Sequence, residues 1–261
     1  MKISNKEKQK DFDINISLDR ESGVSSMMRV GDEEEFIEAS IMSTIDFFDE
    51  ITIVLNNSKD NTENIVRSID SDKIKIYHYP FKLRPNGPGH KNNNPEDSAF
   101  SISYYYNWCM SKTTKSHICK WDGDNVALND LNQYRDLVLS HDVVWFKGIN
   151  IVGKNLDLIS KHSPFTGLHP SFHVVNKNTR YLTGDLCEIL NHQHVGPKHY
   201  EIDNPIFLHY KACKSESMQT RMWPDNWREL PHFQNIYKRF HDGTPYNGKQ
   251  PREIKKILNS K

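Results

Sequence analysis

Between residues 24 and 79 the chain switches repeatedly between two hydrophobic periods, and that alternation leaves few folds open. Residues 24–30 read as a first strand. Phe36, Ile37, Ile41, Ile45 and Phe48 then recur at helical spacing, and Asp32 with Glu35 three positions on has the form of a capping box. Ile51-Thr52-Ile53-Val54-Leu55 is a short β-branched run of the kind buried on both faces of a sheet. A polar turn follows, then Asp60 with Glu63 as a second capping box, with Ile65, Val66 and Ile69 facing inward. Residues 73–79 alternate as a third strand. Strand, helix, strand, helix, strand predicts a parallel sheet with helices on its faces.

The pattern continues with less regularity. Residues 80–96 form a long Pro-, Gly- and Asn-rich loop, and loops of that length often carry function. An aromatic-rich helix is predicted over 99–111, a strand over 117–121, a helix over 129–140 and a strand over 142–147. The first 22 residues are polar and read as a frayed extension, with Ile14 to Leu18 as one short candidate strand. The 261 residues divide into that extension (1–22), a first half (23–130), a second half of the same domain (131–220) and a tail (221–261) rich in Trp, Pro and His. In that tail Trp223, Trp227, Phe233, Tyr237 and Phe240 suit a core better than a ligand platform.

Charge and cysteine usage remove several classes of function. Thirty-four basic residues balance 34 acidic ones, so no global field recruits nucleic acid. The four cysteines form no C-x-x-C pair and read as buried thiols. The charged start has no apolar signal segment, and no run approaches the roughly 18 apolar residues of a membrane span. A cytoplasmic protein, at most peripheral to a membrane, is the expectation. No phosphate-binding G-x-x-x-x-G-K-[ST] loop is present. His192, His194 and His199 match no zinc spacing.

The sharpest chemical feature is Trp121-Asp122-Gly123-Asp124. Two carboxylates flank a glycine at the end of a predicted strand, where open α/β sheets bind ligands. Carboxylates so close repel unless a cation lies between them, and oxygen donors of this kind suit Mn²⁺ or Mg²⁺ with phosphate oxygens and water completing the shell. A plain Asp-Gly turn with a helix cap has the same sequence. Ile206-Phe207-Leu208-His209-Tyr210-Lys211 supplies a strand ending in a histidine and then a lysine.

Three segments in order resemble the family 2 glycosyltransferases. Met28 to Ile37 (M-R-V-G-D-E-E-E-F-I) is similar to their R-x-x-N-E-E-x-x-I opening. Asp49 to Thr62 (D-E-I-T-I-V-L-N-N-S-K-D-N-T) is similar to their D-E-I-x-V-x-D-x-G-S-x-D-x-T segment. Asn107-Trp108-Cys109 through Asp124 is similar to their helix, strand and D-x-D. The match spans about 24–130, with weaker echoes to about 215. Leu55 and Asn56 stand where the family carries acidic residues.

The resemblance implies a GT-A fold, Rossmann-like, with a mostly parallel central sheet flanked by helices and the D-x-D at the end of a central strand. It implies a metal-dependent, inverting, hexosyltransferase-type enzyme of polysaccharide or glycan assembly. The donor would be a nucleotide-diphosphate sugar, a UDP-sugar first among them, and the acceptor a glycan or a lipid-linked hydroxyl. Carried over, Arg29, Val30, Asn56, Trp121, Asp122 and Lys211 would bind the donor. Asp122, Asp124 and His209 would hold the metal. Asp185, which follows a glycine between short predicted strands, would be the general base, with Glu188 second and Glu201 and Asp203 as further candidates. The rivals are a non-catalytic sugar- or nucleotide-binding module, which the departure at Leu55 keeps open, and a metal-dependent phosphoesterase or nucleotidyltransferase.

Overall fold

A computed structural model describes residues 2–85, 87, 90–153, 155–160, 171–185, 187–191, 195–214 and 225–259. His192, His194 and Trp223 lie outside the described residues, as does the side chain of Trp227.

The strands are β1 (Lys2–Ile3), β2 (Ile14–Asn15), β3 (Glu21–Val30), β4 (Glu50–Leu55), β5 (Ile74–His78), β6 (Lys115–Lys120), β7 (Asn125–Ala127), β8 (Val143–Val152), β9 (Leu158–Ser160), β10 (Ser171–Val174), β11 (Tyr181–Thr183), β12 (Glu188–Leu190), β13 (His199–His209) and β14 (Gly243–Pro245). The helices that matter for the site are α1 (Ile37–Met42), α2 (Thr62–Ser68), α3 (His90–Asn93), α4 (Ile102–Ser111) and α5 (Arg135–Ser140). Helices Pro231–His241 and Arg252–Asn259 complete the described chain.

The fold is mixed α/β. Strands β6, β3, β4 and β5 lie side by side and parallel, the arrangement predicted from the alternating periods. Beyond β6 the sheet continues through antiparallel β10 and β8 to β9 and β14, and β13 runs parallel to β8. Strand β4 is buried at all six positions, which is why it is mostly apolar and β-branched after Glu50. Its alternate side chains feed two cores. Ile51, Ile53 and Leu55 pack with Ile37, Ile41 and Phe48. Val54 packs with Tyr79, Tyr105 and Trp108 on the side of α4.

Three expectations change. The stretch 32–36 is a turn, and α1 starts at Ile37 with no side-chain cap. Asp32 instead accepts the backbone N–H of Lys59 at 2.5 Å, a tertiary donor that wins over the local capping pattern. Asp60 does serve the start of α2, accepting from Thr62 N–H at 3.0 Å, but Glu63 turns outward to Arg67. The N-terminal 22 residues are anchored rather than frayed. Ile14 and Ile16 are buried, Tyr104 donates its hydroxyl to the Phe12 carbonyl at 2.9 Å, and Glu7 accepts from Ser98 and Ala99.

Glu50, at the start of β4, supplies a pH-dependent part of stability. It is buried and accepts from Ser25 Oγ at 2.5 Å, Thr114 N–H at 2.7 Å and Lys75 Nζ at 2.6 Å. Burial opposes its ionisation, but these donors outweigh it, and its pKa is held below the ordinary value. A carboxylate with a depressed folded-state pKa contributes its full stability above its unfolded value, near about 4.3, and loses it as pH falls from there through the lower folded-state pKa. Glu50→Gln is expected to cost roughly 2 kcal/mol at pH 7. Its melting temperature is expected to decline less than the wild type's between about pH 5 and pH 3, as read by thermal melts across that range.

Candidate donor and metal site

Three adjacent parallel strands end together. Arg29 stands next to last on β3, Asn56 follows β4, and Asp122 and Asp124 follow β6. The rest of the site arrives through long-range pairing. Strand β7 pairs antiparallel with the end of β13, setting Asn125 opposite His209. The Tyr210 N–H then donates to the Asp124 carbonyl at 3.0 Å. Strand β13 also runs parallel to β8, which sets His209 opposite Asn150. Gly123 lets the turn between the carboxylates pack closely on Glu33 and Ile37. A Cβ there would stand 3.1 Å from Glu33 Cγ and 3.2 Å from Ile37 Cδ1.

The two aspartates serve different halves of the site. Asp122 pairs with the Arg29 guanidinium, which lies 3.8 Å above the Tyr106 ring. Lys120 Nζ approaches the same ring at 5.4 Å and stands 3.9 Å from Glu188 Oε1. Glu188 is carried there by the β11–β12 hairpin, which Asn107 of α4 clamps with two 2.8 Å hydrogen bonds to the backbone of Tyr181. Burial opposes both charges of the Arg29–Asp122 pair. Tyr106, Asp122 and Glu188 nevertheless hold the Arg29 pKa above its usual value, and Arg29 and Lys120 hold Asp122 well below the carboxylate range.

Asp124 faces the other half. Its Oδ2 is 2.5 Å from Lys214 Nζ, which also bonds Glu33, and its Oδ1 is 3.5 Å from His209 Nε2. His209 Nδ1 lies 2.7 Å from Asn150 Oδ1, so the carboxamide oxygen takes the Nδ1 proton and Nε2 presents a lone pair to Asp124. Burial pulls the His209 pKa down to about 4 against the opposing pull of Asp124 and Asp122, which keeps the ring neutral near pH 7. Burial and Asp124 push Glu33 up, while Lys214 opposes them. Burial also depresses the Lys211 pKa, against Asp124.

A carboxylate oxygen and an imidazole nitrogen, both acceptors and 3.5 Å apart, fit a divalent ion as neighbouring ligands. Among the described residues no group of three or more His, Cys, Asp or Glu is arranged to hold a metal. An ion on Asp124 and His209 would therefore take its other ligands from substrate oxygens and water, as Mg²⁺ commonly does.

Other candidates are placed as follows. Trp121 is fully buried and donates its indole N–H to Ser40 Oγ and the Asn125 carbonyl, bracing the turn from below. Val30 packs in the core, and its carbonyl accepts from Asn56 N–H. Asn56 is buried and donates Nδ2 to the carbonyls of Tyr79 and Phe81. The Asp185 side chain is 89% exposed and its nearest basic partner is Lys91 at 3.9 Å, whereas that of Glu188 is 5% exposed. Glu201 pairs with Lys147 on the sheet. Glu33, Lys214, Tyr106 and Asn150 belong to the site and carry no local sequence signal of it. Only Glu33 stood in a quoted motif, where its pattern suggested a helix start.

Three buried side-chain atoms in this region have no hydrogen-bond partner: Glu188 Oε2, Arg29 Nε and Asn125 Oδ1. Orphaned buried polar atoms are rare in folded proteins and mark places where a ligand or water completes the set.

No family model matches the chain, and no curated protein matches it. Among solved structures, glucosyl-3-phosphoglycerate synthase from Mycobacterium tuberculosis, in complex with Mn²⁺, UDP and phosphoglyceric acid, aligns at 16% identity and a TM-score of 0.35. The alignment covers 52% of this chain and 45% of that one, so the chain spans less than half the length of that protein. The galactosyltransferase LgtC, in complex with donor and acceptor sugar analogues, aligns at 7% identity and a TM-score of 0.30 over 90% of this chain and 70% of that one. No helix among the described residues is long and apolar enough to cross a membrane.

Proposed function

We propose that the chain is a GT-A-type glycosyltransferase that takes a nucleotide-diphosphate sugar at the carboxyl ends of β3, β4 and β6 and transfers the sugar to a hydroxyl acceptor. The observation that carries this reading is the pair of orphaned atoms beside the D-x-D. Arg29 Nε–H needs an acceptor and Glu188 Oε2 needs a donor, and Tyr106 and Lys120 link the two residues. A phosphate would satisfy the guanidinium and be repelled by the carboxylate; an ammonium would do the reverse. A hydroxyl donates and accepts at once and suits both, as the water it would displace does.

In this reading Asp124 and His209 would hold Mn²⁺ or Mg²⁺, which when bound neutralises charge on a leaving nucleoside diphosphate. Lys211 adds positive potential on the same side. Arg29 fixes Asp122, and Asp122 in turn orients Arg29 toward the hydroxyl. Glu188 accepts the proton of the attacking hydroxyl, the role of a general base. Asp185, 89% exposed with Lys91 at 3.9 Å, is the less favoured candidate for that role in this reading. A UDP-sugar donor, a hexosyl group, a glycan acceptor and an inverted product are the finer parts of the proposal.

Melting curves with UDP, GDP, CMP and dTDP, each in Mn²⁺ and in EDTA, test the donor half. One nucleoside diphosphate is expected to raise the melting temperature only with metal, because a ligand that binds the native state alone stabilises it. No shift with any of them sinks the reading. Glu188→Gln tests the other half. It is expected to lower kcat at least a hundredfold while leaving nucleotide binding within about twofold. Unchanged turnover removes Glu188 from the chemistry.

A further inference from the structure

The site contains a cation of its own. The Lys214 side chain is 8% exposed, with its ammonium 2.5 Å from Asp124 Oδ2 and bonded to Glu33. The other oxygen of the same Asp124 carboxylate faces His209 Nε2 at 3.5 Å. The candidate metal position and the lysine therefore share one carboxylate.

We propose that Lys214 is a built-in counter-cation that opposes divalent-ion binding at Asp124 and His209: it holds the metal-free site together and weakens the metal. The inference rests on the metal reading given above. Its two effects have one source. Without a metal, buried Asp124 and half-buried Glu33 are two carboxylates that repel each other, and the ammonium bonded to both balances the pair. With a divalent ion on the opposite oxygen of Asp124, the ammonium stands one carboxylate away from a like charge in a water-poor setting, where repulsion is strong. The lysine sits just after the 3-10 turn Lys211–Cys213, and its four-carbon stem allows the head group to withdraw without moving β13. A withdrawn ammonium on this side of the site is also a point charge to which diphosphate oxygens can bind.

Lys214→Met separates this role from simple support. In EDTA the variant is expected to melt below the wild type, yet to bind Mn²⁺ at least tenfold more tightly by isothermal calorimetry. Opposite signs in the two measurements support the proposal. A residue that merely props the turn would lower the melting temperature and leave Mn²⁺ affinity unchanged or weaker, and that result overturns it. If the wild type and the variant both fail to bind Mn²⁺, the metal reading falls and this inference with it. Should Lys214→Met not fold, pulse acetylation of the wild-type protein read by mass spectrometry gives the answer. Lys214 is expected to acetylate faster in Mn²⁺ than in EDTA, and equal or slower labelling overturns the proposal.

Discussion

Asp124→Asn is expected to remove metal-dependent nucleotide binding altogether and to lower sugar transfer by roughly a thousandfold or more. The substitution keeps the shape of the side chain and deletes its charge. The Nδ2 of the new amide cannot ligate a metal, and a lone carboxamide oxygen is a weak partner for one. The fold should tolerate the change. Asp124 is one of two carboxylates that share Lys214, so its loss leaves an intact Lys214–Glu33 pair and relieves the repulsion between the two acids. The stability cost in EDTA is therefore expected to stay below about 2 kcal/mol, less than the cost of stranding a buried charge. The measurement is the nucleotide melting shift in Mn²⁺ minus that in EDTA, set beside the melting temperature in EDTA alone. A variant that keeps the metal-dependent shift would move the ion away from Asp124 and leave the D-x-D as an ordinary turn.

What could be read from the sequence and what could not follows from how far apart the interacting residues lie. The parallel β6-β3-β4-β5 core was readable because period 2 and period 3.6 are local properties of side-chain direction. So was the position of Asp122 and Asp124, because a strand end followed by D-G-D is a local fact. His209 was found as a strand-end histidine. Its partner Asn150 was not, since only the parallel register of β13 on β8 brings together residues 59 apart in the chain. Lys214 was missed for a related reason: the 3-10 turn after β13 carries it to Asp124, and the sequence pattern says nothing of that turn.

Two local patterns misled where tertiary partners outbid them. Asp32 and Glu35 spell a capping box, yet Asp32 spends its carboxylate on the backbone of the Lys59–Asp60 turn. The polar N-terminus spells a frayed end, yet Phe12, Ile14 and Ile16 fill the groove beside Tyr79 and Trp108 while Asn5 and Asp13 satisfy the backbone between them. Glu188 is the intermediate case. Its sequence context offered it beside Asp185, and only the docking of the β11–β12 hairpin on α4 separates a buried carboxylate from an exposed one.

The other large effect is on stability and comes from Arg29. Arg29→Met is expected to cost roughly 2–3 kcal/mol, less than the range for breaking a fully buried ion pair because the Arg29 and Asp122 side chains are half-buried, and to lower the melting temperature on the order of 5–10 °C. Methionine fills much of the volume over the Tyr106 ring, so packing is not the main loss. The loss is electrostatic: Asp122 loses its ion-pair partner, and Glu188 loses a neighbouring positive charge. Arg29→Lys should recover part of the deficit. An ammonium can meet Asp122, but it cannot also lie flat on Tyr106. The double variant Arg29→Met with Glu188→Gln distinguishes this account from a packing defect. If stranded charge is the cause, urea unfolding of the double variant shows it more stable than Arg29→Met alone, with a coupling between the two sites of about 1 kcal/mol or more. If the two losses simply add, Arg29 and Glu188 do not share a field. The hydroxyl that the proposed reaction places between them would then have no reason to bind there.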